Sequence, residues 1–272
     1  NGGGMGPVAD DGAWLEAAAA AAAVTRLMDD GRRVAPGPAL LRALVARPAP
    51  DPLALVADGL RLGFDLSAGA IAVCAGGAGD AKLIDADGVL IAGVGEGRVV
   101  ALVPLAGEHP ERDAAALADR LGVAGVGAAV SAPRREPSLL REAVREAMLL
   151  AELACAPEAA LAGQEETYRL LIGVLLRDPE ELELLQSSTI TPLVAYDSEH
   201  DTELLVTLGT FLAHHGSTTE TAEVMGLHRH TVGYRLSRVH EVSGLSPYES
   251  DGRERLSLGL KAAQILAAAE RL

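Results

Sequence analysis

The chain has 272 residues, 49% of them hydrophobic, and a formal net charge of −15. That length suits two domains, each able to bury its own core, and no apolar run reaches the roughly 18 residues that span a bilayer. The acidity excludes a protein that coats nucleic acid or anionic membrane without selectivity.

Residues 1–12 are Gly-rich and expected to be disordered, with NGGG ahead of Met5 set aside from the fold. An Ala-rich helix is expected from Ala13 to Met28, packed on its own domain or a partner, or joining an upstream sensor. Gly31–Pro38 reads as a linker, followed by helices over Ala39–Ala46 and Pro52–Leu62. Asp51 and Pro52 give the second of these a capping carboxylate and a first-turn proline. From Gly69 the pattern changes to strands: 70–75, 82–87, 88–94, 98–105 and 123–131, with a hairpin turn at Gly95–Gly97. Helices over Glu111–Leu121 and Ser138–Leu153 alternate with them, which indicates an α/β sandwich with a mainly antiparallel sheet. Gln164–Leu176 and Pro179–Gln186 read as helices, the second started by Asp178 and Pro179. Ser188–Asp201 leads without an assigned element into a helix over Thr202–His214, and Asp251–Leu272 forms the last helix.

Gly216–Gly244, GSTTETAEVMGLHRHTVGYRLSRVHEVSG, has its own organisation. Thr218–Met225 is a short helix with Ser or Thr to cap it, Ala222 is small enough for a close crossing, and Gly226 suits a turn at positive φ. A second helix over Arg229–Val242 places Val232, Leu236, Val239 and Val242 on one face. This is the form of a helix-turn-helix. The opposite face carries His230, Gly233, Tyr234 and Ser237, with His228 and Arg229 at the start and Arg235 and Arg238 flanking. From His228 to His240 there are three Arg and no Asp or Glu, whereas the first 200 residues hold nearly all the acidic excess. Arg can grip phosphate or guanine, and Thr, Tyr and His can reach phosphate or base edges. The plainer alternative is a helical hairpin with a solvated basic face.

Leu204–Pro247 resembles the C-terminal DNA-binding domain of the PucR/CdaR family of bacterial transcription regulators, through Leu208, Gly216, Thr221, Ala222, Gly226, His228, Arg229, Thr231, Val232, Tyr234, Arg235, Leu236, Gly244 and Leu245. His230 stands where that family commonly has Asn, and Gly233 where it commonly has Arg. LGFDLSAGAIAVCA, GRVVALVPL and GVGAAVSAP with LLREAVREAMLLAELA are similar to the family's GGDEF-like domain. The resemblance implies an α+β, mixed chain: N-terminal helices over 13–62, a GGDEF-like α/β domain over 63–160, a helical linker over 161–200 and an all-α helix-turn-helix domain over 201–272. It also implies contact with an operator in double-stranded DNA through His228, Arg229, His230, Thr231, Tyr234, Arg235 and Arg238, and a homodimer or higher oligomer.

Diguanylate cyclases hold metal ions with carboxylates on the GGDEF hairpin and a neighbouring strand. Here the hairpin reads GVGEG, with Glu96 as its single acid, and the strand AIAVCA has none. A catalytically silent domain is therefore expected, serving dimerisation or signal relay, with no cofactor and no metal. The alternative is a small-molecule- or nucleotide-sensing α/β domain with enzymatic activity. CAGGAGD (74–80) lacks the Lys-Ser/Thr of a phosphate loop, and His214, His215, His228, His230 and His240 have no Cys companion or repeated ligand spacing. With no basic segment leading into an apolar signal region, the chain reads as cytoplasmic, and Cys74 and Cys155 as two reduced, buried thiols.

Overall fold

The computed structural model describes residues 36–46, 50–76, 89–94, 97–122, 127–155 and 164–272. The helix expected at Ala13–Met28, the strand at 82–87, Gly95 and Glu96 of the hairpin, and residues 77–80 of the Gly-rich loop lie outside the described residues. The fold is mixed α+β: a small antiparallel sheet with helices on both faces, followed by a helical C-terminal region.

Helices α1 (Pro36–Val45) and α2 (Pro52–Arg61) come first. As expected, Asp51 caps α2, its carboxylate accepting from Ala54 N at 3.2 Å. The sheet contains β1 (Ala70–Ala75), β2 (Leu90–Val94), β3 (Arg98–Pro104) and β4 (Ala128–Val130), in the order β2-β3-β1-β4. Every pairing among them is antiparallel. Since β3 and β4 both oppose β1, they run the same way, and α3 (Pro110–Gly122) is the crossover between them. α4 (Leu140–Ala154) follows a single 3-10 turn at Pro137–Leu139.

The central strand β1 is buried along its whole length, so it reads as a continuous apolar run rather than an alternation. Its side chains still sort by parity. Ala70, Ala72 and Cys74 pack with α1 and α4 through Leu41, Leu44, Val144 and Ala147. Ile71, Val73 and Ala75 pack with α3 through Ala114, Leu117 and Leu121. Burial pushes the Cys74 thiol up to about 12, keeping it neutral. Cys155 departs from expectation: it is exposed, because it caps the end of α4 just beyond the packed face. The expected strand at 123–131 is also shorter, with only 128–130 paired and 123–126 outside the described residues.

Glu146 of α4 is the polar centre of this half. It is 2% exposed. Its carboxylate accepts from Arg134 at 2.7 Å, Arg169 at 2.8 Å and Ala132 N at 3.0 Å. Arg169 also donates to Val130 O at 2.8 Å.

The C-terminal region comprises α5 (Glu165–Arg177), α6 (Pro179–Thr189), α7 (Thr191–His200), α8 (Leu204–Ala213), α9 (Thr218–Met225), α10 (Arg229–Ser243) and α11 (Ser250–Glu270). Helix α7 falls where no element was expected. Its proline at the first turn is the one start signal there, and it has little amphipathic pattern. Asp197 on α7 accepts from Leu204 N at 2.8 Å, Leu205 N at 2.9 Å and the Thr202 hydroxyl at 2.6 Å, so the start of α8 is capped from the preceding helix. That places the α8 start at Leu204 rather than Thr202.

Helix α11 joins the two halves. Ala262, Ile265 and Ala268 pack with Leu149 and Leu153 of α4, Ile172 of α5 and Leu182 of α6. Near its middle Gly259 lies so close to Thr189 that an added Cβ would overlap the threonine hydroxyl. At its end Arg271 reaches Glu152 of α4 at 2.7 Å, and Arg98 of β3 reaches the same carboxylate at 3.2 Å. Burial alone would raise the Glu152 pKa, but the hydrogen bonds from Arg271 and Arg98 outweigh it and hold it lowered. Among the described residues no helix is long and apolar enough to cross a membrane.

Candidate nucleic-acid interface

Helices α8, α9 and α10 form a three-helix unit whose small core is Phe211, Ala222, Val232 and Leu236, with Leu227 packed against it. Ser217 caps α9, its hydroxyl accepting from Glu220 N at 3.3 Å. Buried Thr221 donates back to Ser217 O at 2.7 Å. Gly226 ends α9 at φ 64°, a conformation that a residue with a Cβ rarely adopts. The turn then releases the chain into α10 two residues later.

α10 has two unlike faces. Val232, Leu236 and Val239 are fully buried, and Val242 is half-buried against the neighbouring core. Arg229, His230, Thr231, Tyr234 and Ser237 are exposed, Tyr234 to 64%. Six of the seven predicted contact residues therefore lie in the N-terminal two-thirds of one helix, and His228 stands at its N-cap. His228 has a structural task as well: its Nδ1 accepts from His230 N at 3.3 Å as the N-cap of α10. A neutral ring accepting at Nδ1 carries its proton on Nε2, leaving that nitrogen as a donor. The His228 and His230 rings are stacked with centroids 5.0 Å apart.

The two later arginines are engaged within the protein. Arg235 donates to Glu203 Oε2 at 3.0 Å and to Thr207 Oγ1 at 3.2 Å, tying α10 to the start of α8. Arg238 pairs with Glu241 at 2.6 Å and donates to the Tyr234 hydroxyl at 3.2 Å. Its guanidinium also lies 5.9 Å from the Tyr196 ring centroid. The Tyr234 hydrogen bond, then the Glu241 charge, raise the already high pKa of Arg238. Sequence reasoning missed Tyr196, Glu203 and Glu241. Glu241 was visible at the i,i+3 spacing from Arg238, whereas Glu203 lies 32 residues from Arg235 and has no local signal.

Gly233 sits on the outward side of α10, and an added Cβ there meets nothing within 4 Å. Gly233→Ala should raise stability by about 0.5–1 kcal/mol through the lost backbone entropy of glycine. The urea midpoint of the variant checks this, and a fall would mean that this face is packed rather than open.

Residues 204–262, from α8 into α11, match the family model described as the PucR C-terminal helix-turn-helix domain. An uncharacterised protein in the pkwA 5′ region of Thermomonospora curvata is 34% identical over 144 residues, 53% of this chain and 77% of that protein. The purine catabolism regulatory protein of Bacillus subtilis is 34% identical over 88 residues. That match covers 32% of this chain and only 16% of the relative. Among solved structures, a regulator of polyketide synthase expression from Bifidobacterium adolescentis is similar at a TM-score of 0.39 and 20% identity, over 87% of this chain and 98% of that one.

Proposed function

The chain belongs to the PucR family of transcription regulators, and on that premise we propose that it binds an operator in double-stranded DNA through the exposed face of α10. The observation that carries this is the contrast between the two faces of that helix: one wholly apolar and buried, the other rich in Arg, His, Thr and Tyr and open to solvent. Arg229, His230, Thr231 and Tyr234 lie on its first turns, where a recognition helix reaches base edges in the major groove. His228 caps the helix and presents its Nε2 side to a base or phosphate. Arg235 and Arg238 take phosphates, and Glu203 and Glu241, both more than half exposed, are the carboxylates that a phosphate displaces. The carboxylate side of each pair is open to water, which weakens it and allows the exchange, although Arg235 is itself only 21% exposed at the side chain.

The sheet region, which resembles a GGDEF-like domain, serves signal relay or dimerisation and carries out no catalysis: its buried central strand has no carboxylate to hold a metal. The acidic first 200 residues stay away from the duplex while α10 docks, and the protein works in the cytoplasm. Selection of bound sequences from random duplex DNA tests the function. Enrichment of a defined site is expected, and an unenriched pool would contradict sequence-specific binding.

One helix of this kind reads few base pairs, so a homodimer with half-sites about 34 Å apart is proposed. Light scattering at micromolar concentration, with DNA absent and present and the duplex mass subtracted, should give at least twice the mass of one chain, and a monomer mass in both would contradict it.

A further inference from the structure

A cleft of about 1090 Å³ opens where α5, α8 and α11 meet, slightly larger than the usual size range of about 300–1,000 Å³ for small-molecule sites. Leu205 and Leu212 of α8 and Leu260 and Ala263 of α11 make much of its wall apolar. Lys261 also lines it, although the residue is nine-tenths buried. Its Nζ donates to Ser257 Oγ at 2.7 Å and lies 6.0 Å from the centroid of the Tyr168 ring. Among the described residues it has no carboxylate partner.

A buried ammonium with spare N–H donors and no counter-charge is costly, and burial accordingly lowers its pKa. Three residues further along the same helix, nearly one turn, Gln264 accepts from the Tyr168 hydroxyl at 2.5 Å through Oε1. Its amide N–H groups are left as donors beside Lys261. The other charged side chains on the cleft, Arg253 and Glu254, are of opposite sign and lie about two turns away along α11, so they do not neutralise Lys261. His214 and His215 line the cleft at the end of α8, where His214 faces Glu220 at 3.6 Å.

We propose that this cleft binds a small organic anion, its acidic head held by the Lys261 ammonium and the Gln264 amide and its apolar body lying along α8. Such an occupant would touch α5, α8 and α11 together, and so link the helix-turn-helix to the helices that pack on the sheet region.

The probe is 1-anilinonaphthalene-8-sulfonate, titrated into the full chain beside N-phenyl-1-naphthylamine, the same rings without the sulfonate. One saturable sulfonate site per chain is expected. Lys261→Met should weaken the sulfonate by about tenfold or more and leave the neutral analogue unchanged. This variant exchanges a buried charge for an apolar chain of similar length, so its melting temperature should not fall. Gly209→Leu gives a second test, because a Cβ at Gly209 stands at ordinary contact distance, 3.7 Å, from Leu260 across the cleft. The larger side chain should fill the space and weaken both probes. Octanoate should displace the sulfonate at a lower concentration than 1-octanol does, and the difference should vanish in Lys261→Met. Absence of a saturable site in the wild type, equal effects of Lys261→Met on both probes, or unchanged binding to Gly209→Leu would overturn the proposal.

Discussion

Val232→Asp should unfold the three-helix unit. Val232 is fully buried on the inner face of α10, against Phe211, Ala222 and Leu236. The substitution removes the burial of an apolar side chain, about 1.5–3 kcal/mol. It also puts a carboxyl where no donor reaches it, which costs a further several kcal/mol even if the group protonates. The sum, roughly 4 kcal/mol or more, is comparable with the whole stability of a small domain. The Phe211 cluster at the centre of the α8–α9–α10 unit is small and cannot repack around a charge. Loss of helical circular dichroism and of DNA binding together is the expected result. A variant that keeps its wild-type helical signal would show that α10 is turned the other way.

Glu146→Ala should destabilise the protein by about 3–5 kcal/mol, the usual cost of removing one partner from a buried ion pair. Glu146 satisfies two guanidinium groups and one backbone N–H from inside the fold. Without it, Arg134 and Arg169, each only 23% exposed at the side chain, face one another with no counter-charge among the described residues. Glu146→Gln keeps the volume but replaces one accepting oxygen with a donor, so it should recover little of the loss. Arg61→Ala is the comparison. It breaks the Asp58–Arg61 pair, whose side chains are 49% and 75% exposed, and should change stability by no more than about 0.5 kcal/mol. Urea unfolding of the three variants separates the effects. Equal, small changes in all three would mean that the Glu146 cluster is solvated.

The local signals in the sequence carried far. Asp51-Pro52 and Asp178-Pro179 mark helix starts because a capping carboxylate and a first-turn proline act within three residues, and both helices begin there. Gly226 and the Val232–Leu236–Val239 stripe locate the helix-turn-helix for the same reason, and His230, Thr231 and Tyr234 stand exposed away from that stripe, with Arg235 and Arg238 on its flanks. What the sequence withheld was long-range. Helix α7 has weak periodicity and is held by neighbours: its Asp197 caps α8, and its Leu193 joins a core with Leu208 and Val239. The Arg235–Glu203 bond spans 32 residues, so the basic face of α10 looked freer in the sequence than it is. Cys155 looked like a core residue by type, yet the position after the last turn of α4 leaves it exposed. The Lys261 cleft needs three helices distant in sequence to meet, and nothing in the pattern of α11 alone announces it.

The most direct test of α10 as the DNA-reading helix is the affinity of Arg229→Ala and Arg238→Ala for the selected duplex and for random duplex at several salt concentrations. Arg229 stands at the exposed start of the helix. Its loss should cost about 1–3 kcal/mol on the selected site and relax the choice of sequence there. Arg238, further along and paired with Glu241, should act on all sequences alike, weakening both duplexes and lowering the salt slope by about one unit. Both variants should retain the wild-type circular dichroism. If both also bind DNA as the wild type does, α10 is not the reading helix, and the unit is a helical hairpin with a solvated basic face.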